Sequence, residues 1–89
     1  MTFYIVRIPA GQIVQVATYR PRRMSLLIFN DSDYDVYIAP FRDKIREYGF
    51  RLGPQMAIIF LEADGDHPEL EYFATSAGDA QLRVIEGVP

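Results

Sequence analysis

Cysteine is absent from this 89-residue chain. Disulfide frameworks, thiolate metal sites and thiol nucleophiles are thereby excluded, and the redox compartment stays unreadable. Tryptophan is absent too, and histidine occurs once, at His67. No apolar run approaches the roughly 18 residues that a membrane-spanning helix needs. Met1-Thr2-Phe3-Tyr4 places no charged stretch ahead of an apolar one, so no secretory signal is expected either. Basic charge is not in excess: 9 Lys and Arg stand against 12 Asp and Glu, and the pI is about 4.9. That balance argues against nucleic acid, whose ligands are usually basic domains.

What remains is apolar and regularly punctuated. Hydrophobic residues make up 49% and charged residues 24%, a globular composition. A single domain over residues 1–89 is expected, because a second core would have too little apolar surface to close. The charges are unevenly spread: residues 1–30 carry Arg7, Arg20, Arg22 and Arg23 and no acid, whereas residues 54–89 carry Arg83 and seven acids. In a β fold distant segments lie side by side, so pairing across strands accounts for the split more simply than a nucleic-acid arm.

Turn residues recur at Pro9-Ala10-Gly11, Tyr19-Arg20-Pro21-Arg22, Asn30 to Asp33, Leu52-Gly53-Pro54, Ala63 to Pro68 and Ser76 to Asp79. Between them lie runs of strand length, 3–8, 12–18, 24–30, 34–39, 49–52, 56–62, 69–75 and 80–86, rich in β-branched and aromatic residues. The spacing predicts an all-β fold, a small antiparallel sandwich of seven to eight short strands, jelly-roll-like or immunoglobulin-like. Leu82 and Val84 alternate with Gln81, Arg83 and Ile85 as a half-buried strand requires. Leu26-Leu27-Ile28-Phe29 and Ala57-Ile58-Ile59-Phe60-Leu61 do not alternate. They are either central core strands or strands whose outer face meets another subunit, and one small sandwich has only two inner faces. Residues 41–48 are read as a loop with about one helical turn, since an isolated helix that short is marginal in water.

Candidate chemistry is sparse. A lone loop histidine is more often a surface residue than a base, and Ser25, Ser32 and Ser76 sit in no nucleophile elbow. Asp31, Asp33 and Asp35 alternate like calcium ligands, but Val36 and Arg42 occupy the positions where an EF-hand needs Gly and Glu. Asp64, Asp66 and Glu69 read more simply as a solvated turn. No metal or cofactor is expected. Arg20, Arg22 and Arg23 form the densest charge cluster, suited to phosphate or to an acidic protein surface. Phe29, Tyr34, Phe60 and Tyr72 lie on strands, where aromatics belong to a core or to cross-strand pairs. Tyr19, Phe41 and Tyr48, near loops, remain as exposed anchors, for carbohydrate or for protein.

The segment Pro21-Arg22-Arg23-Met24-Ser25-Leu26-Leu27-Ile28-Phe29-Asn30-Asp31-Ser32-Asp33-Tyr34-Asp35-Val36-Tyr37-Ile38 resembles a pattern of small virion structural proteins of tailed double-stranded DNA phages. That pattern runs Pro-Asn-Arg-x-Ser-Leu-x-Ile-x-Asn-x-Ser-Asp-x-Asp-Val-Tyr-Ile. Gly49-Phe50-Arg51-Leu52-Gly53-Pro54 is similar to its Gly-Phe-x-Leu-x-Pro-Gly-Glu turn, and residues 72–86 to its closing hairpin. Arg22 stands where the pattern has Asn, and Gln55-Met56 where it has Gly-Glu. The likeness spans about residues 10–87. It implies a β-sandwich of the capsid decoration or tail accessory type, with no catalytic residue. The expected role is a non-enzymatic virion component, first of all a capsid decoration protein. Its alternatives are a tail or baseplate accessory subunit and a carbohydrate-binding β module. Its expected partners are virion proteins, chiefly the major capsid protein, and further copies of itself, with neither nucleic acid nor membrane. The expected interface residues are Arg20, Arg22, Arg23, Phe41 and Tyr48.

Overall fold

Turn residues cut the chain into strands, and the cuts fall close to where the sequence places them. The computed structural model describes residues 1–88. Over these the strands are β1 (Thr2–Ile8), β2 (Ile13–Ala17), β3 (Ser25–Asn30), β4 (Val36–Ala39), β5 (Phe50–Leu52), β6 (Ala57–Leu61), β7 (Tyr72–Ser76) and β8 (Ala80–Gly87). One helical turn, α1 (Ile45–Tyr48), lies between β4 and β5, and a 3₁₀ turn follows β6 at Glu62–Asp64. The run expected at 69–75 starts only at Tyr72, because residues 68–70 form a turn.

The strands form two antiparallel sheets, β1-β8-β3-β6 and β2-β7-β4-β5, referred to below as sheets A and B. First pairs with last, second with seventh, third with sixth and fourth with fifth. The chain is thus one long hairpin, rolled so that successive pairs fall in opposite sheets. That is a jelly roll rather than an immunoglobulin order. The core between the sheets holds Ile8, Leu26, Ile28, Leu82 and Val84 from sheet A against Val16, Val36, Ile38, Leu52 and Ala74 from sheet B.

Two buried polar clasps join the sheets at opposite ends of β3. Before the strand, Arg23 donates from Nε to the Pro68 carbonyl at 2.6 Å and from a terminal nitrogen to the Leu70 carbonyl at 2.7 Å. Both carbonyls lie on the approach to β7, in sheet B. Its other terminal nitrogen reaches Glu86 of β8, in sheet A, at 2.9 Å. At the far end, the buried Asn30 carboxamide donates to the carbonyls of Tyr34 at 2.7 Å, Leu52 at 3.0 Å and Gly53 at 3.0 Å. Buried polar groups hold a fold together only when they are satisfied, and these are.

The expectation that Tyr34 belongs to a strand core is corrected: it precedes β4, it is exposed, and its ring lies against Gly78, where a Cβ would collide with it. Phe60 and Tyr72 do pack together, stacked at 4.7 Å between centroids.

Candidate functional site

The non-alternating strands β3 and β6 give sheet A two apolar faces. Its inner side is core. On its outer side the register sets Phe3, Ile85, Leu27 and Ile59 in one row across all four strands. The next row is Ile5, Arg83, Phe29 and Ala57. Phe3 is 67% exposed, Ile5 51% and Ile59 49%. Nothing in the described residues covers these rows. At one end Arg83 is held by Asp31 at 2.9 Å, and Gln81 donates to the same carboxylate at 3.2 Å. Strands spaced about 4.8 Å apart and rising about 3.3 Å per residue make these two rows a patch of roughly 20 Å by 13 Å. The first row is apolar throughout and the second is interrupted by Arg83, so the face is a candidate interaction surface.

A second surface lies along the open side of the sandwich, where β5 and β6 are the edge strands. Phe41, Tyr48 and Phe50 line a groove of about 280 Å³ floored by Phe60 and Tyr72. Two anchors expected from sequence, Phe41 and Tyr48, are therefore brought together, with Tyr48 70% exposed. Phe50, which is not among the expected anchors, is presented outward beside them by a three-residue strand. Gly49 makes the tight approach possible, since a Cβ there would strike the Ile45 carbonyl oxygen. Tyr19, the third expected anchor, is exposed on the β2–β3 loop and does not line the groove.

The basic cluster is divided by the fold. Arg23 was expected to face a partner; it is 1% exposed, because its guanidinium forms the internal clasp with Glu86. Arg20 shares that carboxylate at 3.2 Å from a half-exposed position, while Arg22 points outward without an ion pair among the described residues. Burial pushes the Glu86 carboxyl up, but hydrogen bonds from Arg23 and Arg20 and the Arg23 charge outweigh it and hold the group below its ordinary value of 4.5. Tyr4 donates its hydroxyl to the Val16 carbonyl at 2.9 Å. Burial, with the Glu86 charge beside it, pushes that hydroxyl up to about 12.

The acidic loops are tied internally. Asp35 pairs with Arg51 at 3.0 Å, Asp66 accepts from the Leu61 amide at 3.0 Å, and His67 meets Glu69 at 3.1 Å. Among the described residues no group of three or more His, Asp and Glu side chains is gathered for a metal ion. A cleft of about 490 Å³ is lined by Arg7, Asp33, Tyr34 and Asp79 among others, and it is open to solvent.

No protein-family model, curated protein or solved structure matches this chain significantly.

Proposed function

We propose that the chain is a non-enzymatic structural subunit of a tailed-phage virion, and within it a capsid decoration protein that stabilises the shell. One observation carries the reading: on the outer face of sheet A an apolar row crosses all four strands, and Phe3, Ile5 and Ile59 stand half-exposed or more. A domain this small has little burial to spare, and a face built this way lowers its free energy only in an assembly.

The resemblance of residues 21–38 to small virion proteins supports the finer part of the reading. The turn at 53–56 adds to it. Gln55 stands where that pattern has Gly, and its φ of 60° lies in the left-handed region that favours glycine. Contact with the major capsid protein would fall to the aromatic groove at Phe41, Tyr48 and Phe50, to the exposed Arg22 and to the half-exposed Arg20. No cofactor, nucleic acid or membrane enters this role.

The deciding experiment mixes purified protein with emptied heads of the phage that encodes it. Co-sedimentation with heads, together with a higher head melting temperature, is the expected result. Protein that stays in the supernatant, with its density found in tail or baseplate, would replace decoration by a tail role. The groove itself favours a second reading, since exposed aromatic rings are a platform for sugar faces. A glycan array that gives a signal lost in Tyr48→Ala would establish that activity, and a blank array removes it.

A further inference from the structure

We infer that the bare face of sheet A takes a second copy of this chain, packed face to face about a two-fold axis that runs along the strands between β8 and β3. The inference rests on reading the chain as an assembly subunit, and it names what covers this face. Such an axis reverses each row onto itself. In the first row, Phe3 then lies over Ile59 of the second copy, and Ile85 over Leu27. In the next row Ile5 lies over Ala57, large against small, and Arg83 lies over the Phe29 ring, cation against π-face. Each row is therefore complementary to its own reverse, the condition an isologous interface must meet.

Charge points the same way. The one cation among these rows, Arg83, is already held by Asp31 at 2.9 Å, so two copies meet as neutral surfaces with no like charges opposed. An unlike partner would find no charge pattern here to select it. Sheets pack face to face at about 10 Å in the interior of a sandwich, and the same layering repeats across the pair.

The area sets the strength. About 260 Å² per copy gives a total of ~520 Å², well short of the ~1,200 Å² of stable specific interfaces. The pair is thus reversible: dilute protein is monomeric, and crowding of copies on a particle drives the contact.

Sedimentation equilibrium from about 10 μM to about 1 mM tests this, the range in which an interface below standard size associates. The weight-average mass is expected to climb from 10.2 kDa toward twice that value. Ile59→Glu, at a half-exposed edge position, is expected to weaken the association at least tenfold while the thermal melt stays in place. The absence of native cysteine allows a second measurement. Phe3→Cys protein mixed with Ile59→Cys protein is expected to cross-link under mild oxidation, and Phe3→Cys protein alone is not. A strictly monomeric wild type, an unaffected Ile59→Glu variant, or Phe3→Cys copies that cross-link only to one another would each overturn the inference. Head binding is scored separately. Failure of the pair therefore leaves the virion role standing, and failure of head binding leaves the pair standing.

Discussion

The two sheets treat their outer faces differently. Phe73 and Ala39, on the outside of sheet B, are covered by Ile45 of α1, and the Arg42 guanidinium sits 5.1 Å above the Phe73 ring. Phe3 and Ile59, on the outside of sheet A, are covered by nothing in the described residues. The contrast is 7% against 67% exposure for the two phenylalanines, and 3% against 49% for the isoleucines Ile45 and Ile59. Topology explains it. In a jelly roll only the tip connection, between β4 and β5, begins and ends in one sheet; every other connection crosses from one sheet to the other. Sheet B alone has a segment placed to fold over its outer side. Covering one face is thus part of folding, while the other is left apolar and open to the proposed partner.

The largest test of that contrast removes what keeps the two sheets together. Arg23→Ala leaves the buried Glu86 carboxylate with only the half-exposed Arg20 at 3.2 Å, so the expected cost lies toward the lower end of the range of about 3–5 kcal/mol for a broken buried ion pair. Urea unfolding at pH 7 is expected to show it. The pH dependence carries a sign. Glu86 has its folded value depressed, so its share of stability is complete above its ordinary value of 4.5 and is lost as pH falls toward the folded value. In Arg23→Ala the Arg23 hydrogen bond and charge are gone while burial and Arg20 remain, and the carboxyl takes its proton at higher pH than in the wild type. The gap between wild type and variant therefore narrows on acidification. A gap that stays constant from pH 7 to pH 4 would show that the clasp acts through packing alone.

Matched substitutions sharpen the contrast directly. Ile45→Ala, on the covered face, should cost about 2–4 kcal/mol, and Phe73→Ala about 3 kcal/mol or more, because each opens a filled contact. Ile59→Ala and Phe3→Ala, on the bare face, should each cost less than about 1 kcal/mol in dilute protein, since those side chains are largely in water already. Chemical denaturation of the four variants at low micromolar concentration decides it. Similar costs on both faces would mean that sheet A's outer side is packed in solution even when dilute, and the contrast would collapse.

Much of this was legible in the chain. Strands are legible because Gly, Pro and Asx residues bracket β-branched runs, and residues 26–29 and 57–61 stand out as doubly apolar, although only the register shows that they pair in sheet A. Arg23 was misplaced for a physical reason: local sequence showed a basic loop, whereas its burial depends on Glu86, 63 residues later, and on two backbone carbonyls. Phe50 was missed because it lies within a run of strand length, and only the edge position of β5 turns it into a groove wall. Choosing jelly roll over immunoglobulin was beyond reach for the same reason, since pairing order is a long-range property.

The smallest expected effect lies in the turn where the chain leaves the covered sheet for the bare one. There the Met56 amide closes on the Gly53 carbonyl at 3.2 Å, with Pro54 second and Gln55 third at φ 60°. Proline second and a positive φ third are what a type II turn demands, and glycine is the residue that meets the second demand without strain. Gln55 keeps its amide bond to the Asn30 carbonyl at 2.9 Å whatever its side chain is, and the side chain itself adds one long bond of 3.4 Å to the Ser32 carbonyl. Gln55→Gly therefore relieves about 1 kcal/mol of left-handed strain and gives back part of that as unfolded-chain entropy, for a net gain of about 0.5 kcal/mol. A rise in melting temperature of a few degrees is the expected readout. A fall would mean that the glutamine side chain anchors this crossing, and that the match to the glycine of the phage pattern is coincidental.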